Sequence, residues 1–170
     1  AWIFTRNNSL WTQQGNKLVG SGAIGQANQG HSVAISGDGN TAIIGGYMDN
    51  NYQGAAWIFI RNNGIWTQQG DKLVGTGAVG NAMQGVSVSI SADGNTVIIG
   101  GYLDNYDQGA AWIFTRNNGV WSQQGNKLVG SGAEGSSVRQ GQDVHISDDG
   151  NTVILGSYND TPQGAAWIFT

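Results

Sequence analysis

The sequence predicts an all-β chain of tandem four-stranded antiparallel sheets, in three repeats of 55 residues. Three observations predict it: a fixed period, paired hairpin turns, and the absence of helical periodicity. Trp2, Trp57, Trp112 and Trp167 follow one another at a constant step of 55, and Trp11, Trp66 and Trp121 form a second series at the same step. Self-similarity at a period of this size marks a repeat architecture. Residues 1–55 and 56–110 align without a gap, differing at 15 positions and agreeing at 40. The repeats run 1–55, 56–110 and 111–165, with 166–170 opening a further one and the whole forming one continuous repeat domain. The third copy gains a residue in "AEGSSVRQGQ" and loses one in "SYNDTPQG", returning to register at Trp167. Compensating changes of length belong in loops, where closure entropy changes little.

Each copy carries two hairpin signals. Asp38-Gly39, Asp93-Gly94 and Asp149-Gly150 each separate two β-rich runs, so strands are expected at about 32–36 and 40–46, joined by a two-residue turn. Asn63-Gly64 and Asn118-Gly119 separate "AWIFIR" or "AWIFTR" from "IWTQQ" or "VWSQQ", and Asn8-Ser9 takes the same place in the first copy. Apolar residues nowhere fall at i, i+3, i+4, i+7 over a helical length, and no helix is expected. In "AWIF" both alternating sets are apolar, and "TAIIGG" is apolar throughout. Strands of that kind are covered on both faces. Four-stranded sheets packed face to face on their neighbours are the blades of a β-propeller. Trp2, Phe4, Trp57, Phe59, Trp112, Phe114 and Trp167 are therefore expected in the core. Arg6, Arg61 and Arg116, two residues past a Phe, can lay a guanidinium over a ring. Exposed Trp11, Trp66 and Trp121 would instead offer sugar-stacking platforms.

Composition narrows the partners. The 170 residues include 29 Gly, 7 Trp, 1 Pro and no Cys, with 11% charged residues and a net charge of −4. The seven cations are spread singly, so no basic stripe exists for nucleic acid. No run reaches the roughly 18 apolar residues of a membrane helix, and membrane insertion is not expected.

The stretches "QGHSVAISGDGNTAIIGG", "QGVSVSISADGNTVIIGG" and "QGQDVHISDDGNTVILGS", each leading into "GAAWIF", resemble the FG-GAP repeat of integrin-alpha-type propellers and bacterial surface proteins. The resemblance spans essentially the whole chain. The naming elements depart: Gln29-Gly30, Gln84-Gly85 and Gln140-Gly141 stand where the family has Phe-Gly, and residues 45–47 read Gly-Gly-Tyr in place of Gly-Ala-Pro. It implies a propeller blade and an extracellular or cell-surface setting. It also raises calcium, which some members hold in an Asp-rich loop between the first two strands. Ca²⁺ takes six to eight oxygens, whereas this loop offers Asp38, Asp93, or Asp148 with Asp149. Turn chemistry is the expected role of these residues, the third loop is where calcium would go, and no other cofactor is expected.

Three further patterns receive structural readings. "GSGAIG", "GTGAVG" and "GSGAEG" fit the dinucleotide fingerprint but open no helix, so they are expected to be inter-blade loops. His31 and His145 have no ligand-spaced partner. No acid pair or nucleophile elbow recurs, and the chain is expected not to be an enzyme.

Variation between copies gathers in two loops that a four-stranded meander places on one face, while the constant hairpin turns share the other. Varied loops on a rigid scaffold are a recognition design. The candidate ligand-binding residues there are Gln26, Asn28, His31, Tyr47, Asp49 and Tyr52; Asn81, Met83, Tyr102, Asp104 and Tyr106; and Arg139, Tyr158 and Asp160. The Tyr-x-Asp pairs combine an aromatic platform with an acceptor, which suits a glycan or a surface protein. The expected function is a binding or adhesion module. The alternative is a structural array or filament assembled by strand pairing, because "AWIFT" stands at both 1–5 and 166–170 and redundant ends suit an excerpt or a polymerising unit better than a closed object. The chain itself is then a partner, in a six-bladed homodimer or an open polymer.

Overall fold

The computed structural model describes residues 1–170. A first hairpin, β1 (Phe4–Asn7) and β2 (Leu10–Gln13), is followed by a sheet of β3 (Ser32–Ile35), β4 (Thr41–Gly46), β5 (Ala55–Asn62) and β6 (Ile65–Gln68). A second sheet holds β7 (Ser87–Ile90), β8 (Thr96–Gly101), β9 (Ala110–Asn117) and β10 (Val120–Gln123). A third has β11 (Asp143–Ile146), β12 (Val153–Ser157) and β13 (Ala165–Phe169). All are antiparallel meanders, stacked with β3, β7 and β11 side by side, and the stack does not close on itself. Four-stranded sheets thus occur twice; the flanking elements have two and three strands.

Register explains why both faces of these strands are apolar. Val33, Ile44 and Trp57 pair across the first sheet on one side, and Ala34, Ile43 and Ile58 on the other. In the second sheet Val88, Ile99 and Trp112 share a side. The second side of sheet one meets the first side of sheet two, so Ile43, Ile58, Val88, Ile99, Trp112 and Phe114 form one core. Sheets two and three repeat the arrangement with Ile98, Ala111, Val144 and Leu155. Alternation is lost because each face has a neighbour.

Burial of the expected core then depends on whether that neighbour is present. Trp57 and Trp112 are 0% exposed, and Phe59 and Phe114 are buried with them. Trp2, however, is 60% exposed, Phe4 is also exposed, and Trp167 is half-buried. These three correct the sequence expectation: the hairpin β1–β2 lacks the two inner strands, and the third sheet lacks its outer one.

Two single turns, α1 (Asp49–Tyr52) and α2 (Asp104–Asp107), correct the expectation of no helix. Their middle residues are left-handed, with φ of 48° and 56° at Asn50 and Asn51, which an amphipathic pattern cannot signal.

The turns divide as well. Asn63 and Gly64 have φ of 49° and 81°, the two-residue turn expected. Asp38-Gly39 is different: β3 and β4 are joined by residues 36–40, with Gly39 alone left-handed. The Asp38 carboxylate braces this loop, accepting from Ser36 Oγ at 2.5 Å and Asn40 N at 2.9 Å. Asp93 and Asp149 repeat the pattern. The Ser hydroxyl first, then the Asn amide groups, hold Asp38, Asp93 and Asp149 below the ordinary carboxylate range. A depressed folded-state pKa stabilises the fold above the unfolded value of about 3.9 and is lost as pH falls through the folded one. Urea melts from pH 6 down to about 2.5 should therefore show an acid loss of stability that is shallower in Asp93→Asn, which keeps the acceptor and removes the charge. An equally steep acid limb in the variant would assign the loss elsewhere.

Candidate functional site

The two variable loops do share one end of the stack. Their floor is rigid, for reasons visible in the glycine-rich loops. A Cβ on Gly20 would fall inside the Trp57 ring, and one on Gly75 inside the Trp112 ring. Trp57 Nε1 donates to Ser21 O at 2.7 Å, and Trp112 Nε1 to Thr76 O at 2.8 Å. Gly22 and Gly25 supply φ of 74° and 70°. The fingerprint spacing is thus set by close packing on a Trp and by two left-handed turns. The buried Gln84 amide clamps Gly75, receiving its N–H and donating to its O, and Gln29 and Gln140 hold Gly20 and Gly130 in the same way.

Asp49 and Asp104 belong to this floor. Both are buried; their Oδ1 atoms accept from Ile24 N and Val79 N at 2.7 Å, and their Oδ2 atoms pair with Lys72 and Lys127. The expectation that they present acceptors to a ligand is corrected, because every oxygen is engaged. Asp160 accepts from Glu134 N at 2.6 Å.

Above the floor lie the tips. Asn50, Asn51 and Tyr52, and likewise Asn105, Tyr106 and Asp107, run three residues in succession at φ between 48° and 67°. Non-glycine residues rarely adopt that conformation, and stored strain of this kind gathers at functional sites. Asn28, Met83 and Arg139 occupy one equivalent left-handed position in the three copies. Gln26, Asn28 and Asn81 are exposed, Met83 is half-buried, and His31 meets the half-buried Tyr47 edge-on at 4.5 Å between centroids. Tyr52 is barely exposed, Tyr158 is well exposed, and Tyr106 is 86% exposed.

One group of these residues converges. The Arg139 guanidinium lies 5.7 Å from the Tyr102 ring centre and 3.4 Å from Asp107 Oδ2. The Tyr158 pKa is lowered by polar stabilisation of its phenolate, from the Gln142 amide first and then from Arg139. Arg139 Nε and Gln142 Oε1 are buried without a hydrogen-bond partner. A hollow of about 260 Å³ is lined by Asn81, Leu103, Tyr106 and Asp107, and another of about 430 Å³ by Gln142, Ser157, Tyr158 and Gln163. Gln142 and Asp107 were missed by sequence reasoning. The glutamine recurring before each Gly at 29, 84 and 140, and the fixed spacing of 23 between Asp and Lys, were signals for the floor.

The outer tryptophans sit on β2, β6 and β10. Trp66 and Trp121 are half-buried, each donating from Nε1 at 2.9 Å to Gln14 or Gln69 and lying 5.7 or 5.3 Å from the guanidinium of Arg61 or Arg116. Trp11, with Arg6 at 6.0 Å, is exposed. No group of three or more His, Asp or Glu could hold a metal, and no helix is long and apolar enough to cross a membrane.

No family model and no curated protein matches the chain. Solved structures do. A candidate 6-phosphogluconolactonase from Bacteroides uniformis is similar over 99% of this chain and 46% of its own, at 17% identity and a TM-score of 0.60. A protein from Lactobacillus plantarum is similar over 99% and 52%, at 14% identity and a TM-score of 0.57. The fold is propeller-like. This chain spans about half the length of each of these structures. The comparison also corrects the expectation that the chain is not an enzyme: a structure of the same fold carries an enzyme's name. At that identity the likeness extends to the fold alone, so the fold gives no ground for setting catalysis aside.

Proposed function

We propose that the chain is a surface binding module of the FG-GAP kind, extracellular, that takes a hydroxylated ligand such as a glycan on the loop face around Arg139. The observation that carries this reading is the pair of buried, unpartnered polar atoms, Arg139 Nε and Gln142 Oε1, near two hollows: Gln142 and exposed Tyr158 line one, and exposed Tyr106 lines the other together with Asp107, the ion-pair partner of Arg139. A buried polar group without a partner costs free energy that a ligand can return. Turned outward from their buried positions, the donor and the acceptor together suit a sugar hydroxyl, which both accepts and donates, and the tyrosines offer apolar faces with polar tips. Strained, pinned tips support the same reading, since a preorganised surface spends less on ordering.

The test is titration calorimetry against a panel of neutral oligosaccharides. Saturable binding is expected, weakened about tenfold or more in Arg139→Gln and in Tyr106→Ala, each removing roughly 1.4 kcal/mol. Absence of binding across the panel, or affinity unchanged in both variants, would overturn the reading.

A second reading, a structural array or filament built by strand pairing between repeat units, is favoured by one specific observation. Val33 in β3 is 58% exposed, whereas its equivalent Val88 in β7 is 8% exposed beneath the preceding sheet. The first sheet presents a face shaped to be covered by another blade.

A further inference from the structure

The smaller of the two hollows on the loop face, of about 260 Å³, is built wholly from the second copy, with a copy of the repeat on either side of it. It lies between the glycine-rich loop and the tip that carries α2. Its floor is apolar, formed by exposed Val79 and half-buried Leu103. Around that floor stand the exposed Asn81 carboxamide, the Asp107 carboxylate and the exposed ring of Tyr106. Asp107 meets Arg139 through Oδ2 at 3.4 Å, which leaves Oδ1 to accept from a ligand.

The two walls are tied together. Val79 N donates to Asp104 Oδ1 at 2.7 Å, Asn105 N donates to Val79 O at 3.0 Å, and Leu103 N donates to Ala82 O at 3.3 Å. From the third copy, Arg139 N donates to Asp107 O at 2.7 Å. The opening is therefore fixed before a ligand arrives, and little ordering is left to oppose binding.

We propose that this hollow takes the acetamido group of an N-acetylated sugar, with the methyl on Val79 and Leu103, the amide N–H donated to Asp107 and the amide oxygen accepting from Asn81. This rests on the glycan reading above and names its ligand class.

The chemistry selects that group. A sugar bearing only hydroxyls would press them against Val79 and Leu103, where a polar group without a partner is costly. A purely apolar ligand would strip water from Asp107 and Asn81 and return no hydrogen bond. An acetamido group combines a methyl, a donor and an acceptor in one planar unit, and Tyr106 offers its ring as a face for the adjoining pyranose.

The other two copies lack the set. In the first, Asn51 and Tyr52 stand at the places of Tyr106 and Asp107, so the carboxylate is gone. In the third, Glu134 and Asn159 stand at the places of Val79 and Leu103, and the floor is polar. Glu134 N bonds Asp160 just as Val79 N bonds Asp104, so the backbone accepts either residue. One such site is expected among the three copies.

The test is titration calorimetry on the full chain with matched oligosaccharides in the glucose and galactose series, each offered with a hydroxyl or with an acetamido group on the same ring carbon. In at least one series the N-acetylated member should bind about tenfold more tightly, the effect of one buried methyl together with one hydrogen bond. Saturation-transfer NMR should find its acetyl methyl the most strongly contacted group. Val79→Glu installs the residue that the third copy already carries at this place, and should remove the preference with circular dichroism unchanged. Equal affinity within each pair, or a preference that survives Val79→Glu, would overturn this inference and leave the glycan reading standing. No binding by any member would overturn it as well, and silence across the wider panel of neutral oligosaccharides would take the glycan reading with it.

Discussion

Trp112→Ala is expected to cost about 3–5 kcal/mol, as for large aromatics removed from a core. The ring is completely buried against Ile43, Ile58, Val88 and Ile99, and its Nε1–H donates to Thr76 O. Gly75 presses on the ring with no room for a Cβ, so the glycine loop cannot collapse far into the cavity left behind. Trp2→Ala makes the matching control. It sits in the same pentapeptide, yet in the monomer it should cost under about 1 kcal/mol because the ring is exposed. Urea melts at low protein concentration, with the slope compared to exclude a change in the unfolded state, measure both. A similar loss in the two variants would show that burial does not separate these positions.

Asp104→Ala is expected to destabilise by about 2–4 kcal/mol. It removes the acceptor for Val79 N–H and leaves Lys127 beside a buried void. Lys127 is partly exposed and can turn toward water, which holds the cost below that of a fully buried orphan charge. Asp104→Asn should fall between, because the amide oxygen still accepts from Val79 while the charge is gone. The consequence reaches the ligand face, since Asp104 anchors the turn that carries Tyr106. Binding of an oligosaccharide should weaken in proportion to the loosening of that turn, read by hydrogen exchange at Asn105 and Tyr106. A loss under about 1 kcal/mol, with exchange unchanged, would remove the buried pair as the anchor.

Much of the architecture was legible because it is written locally and repeated. Asn63-Gly64 adopts the turn that its own two residues prefer, and the lack of polar alternation in "AWIF" announces cover on both sides. Asp38-Gly39 misled, since a type of turn with one left-handed residue and a braced carboxylate uses the same letters as the two-residue turn. α1 and α2 left no periodic trace, as their left-handed centre is imposed by the anchors at Asp49 and Asp104 from below.

The candidate site was legible only in part. Variation between copies pointed to the loop face, and Arg139, Tyr102, Tyr106 and Tyr158 were among the residues named from it. Gln142 and Asp107 were invisible because their relevance comes from adjacency to Tyr158 and Arg139: Asp107 reaches Arg139 from the neighbouring copy, and Gln142 meets Tyr158 across the β11–β12 pair, 16 residues on. Asp49 and Asp104 were misread for the converse reason: a Tyr-x-Asp pair looks the same whether its carboxylate faces water or a lysine 23 residues on.

By itself the sequence determined the all-β class, the period, the strand sites and the asparagine-glycine turns, all of which follow from backbone preferences acting within a few residues. Only the tertiary structure decided burial, ion pairing and exposure. "AWIFT" occurs in this chain at 1–5 and at 111–115, and its tryptophan is exposed in the first and sealed in the second. The letters are the same, but a side chain is desolvated by what packs on it, and that is a property of the neighbouring sheet.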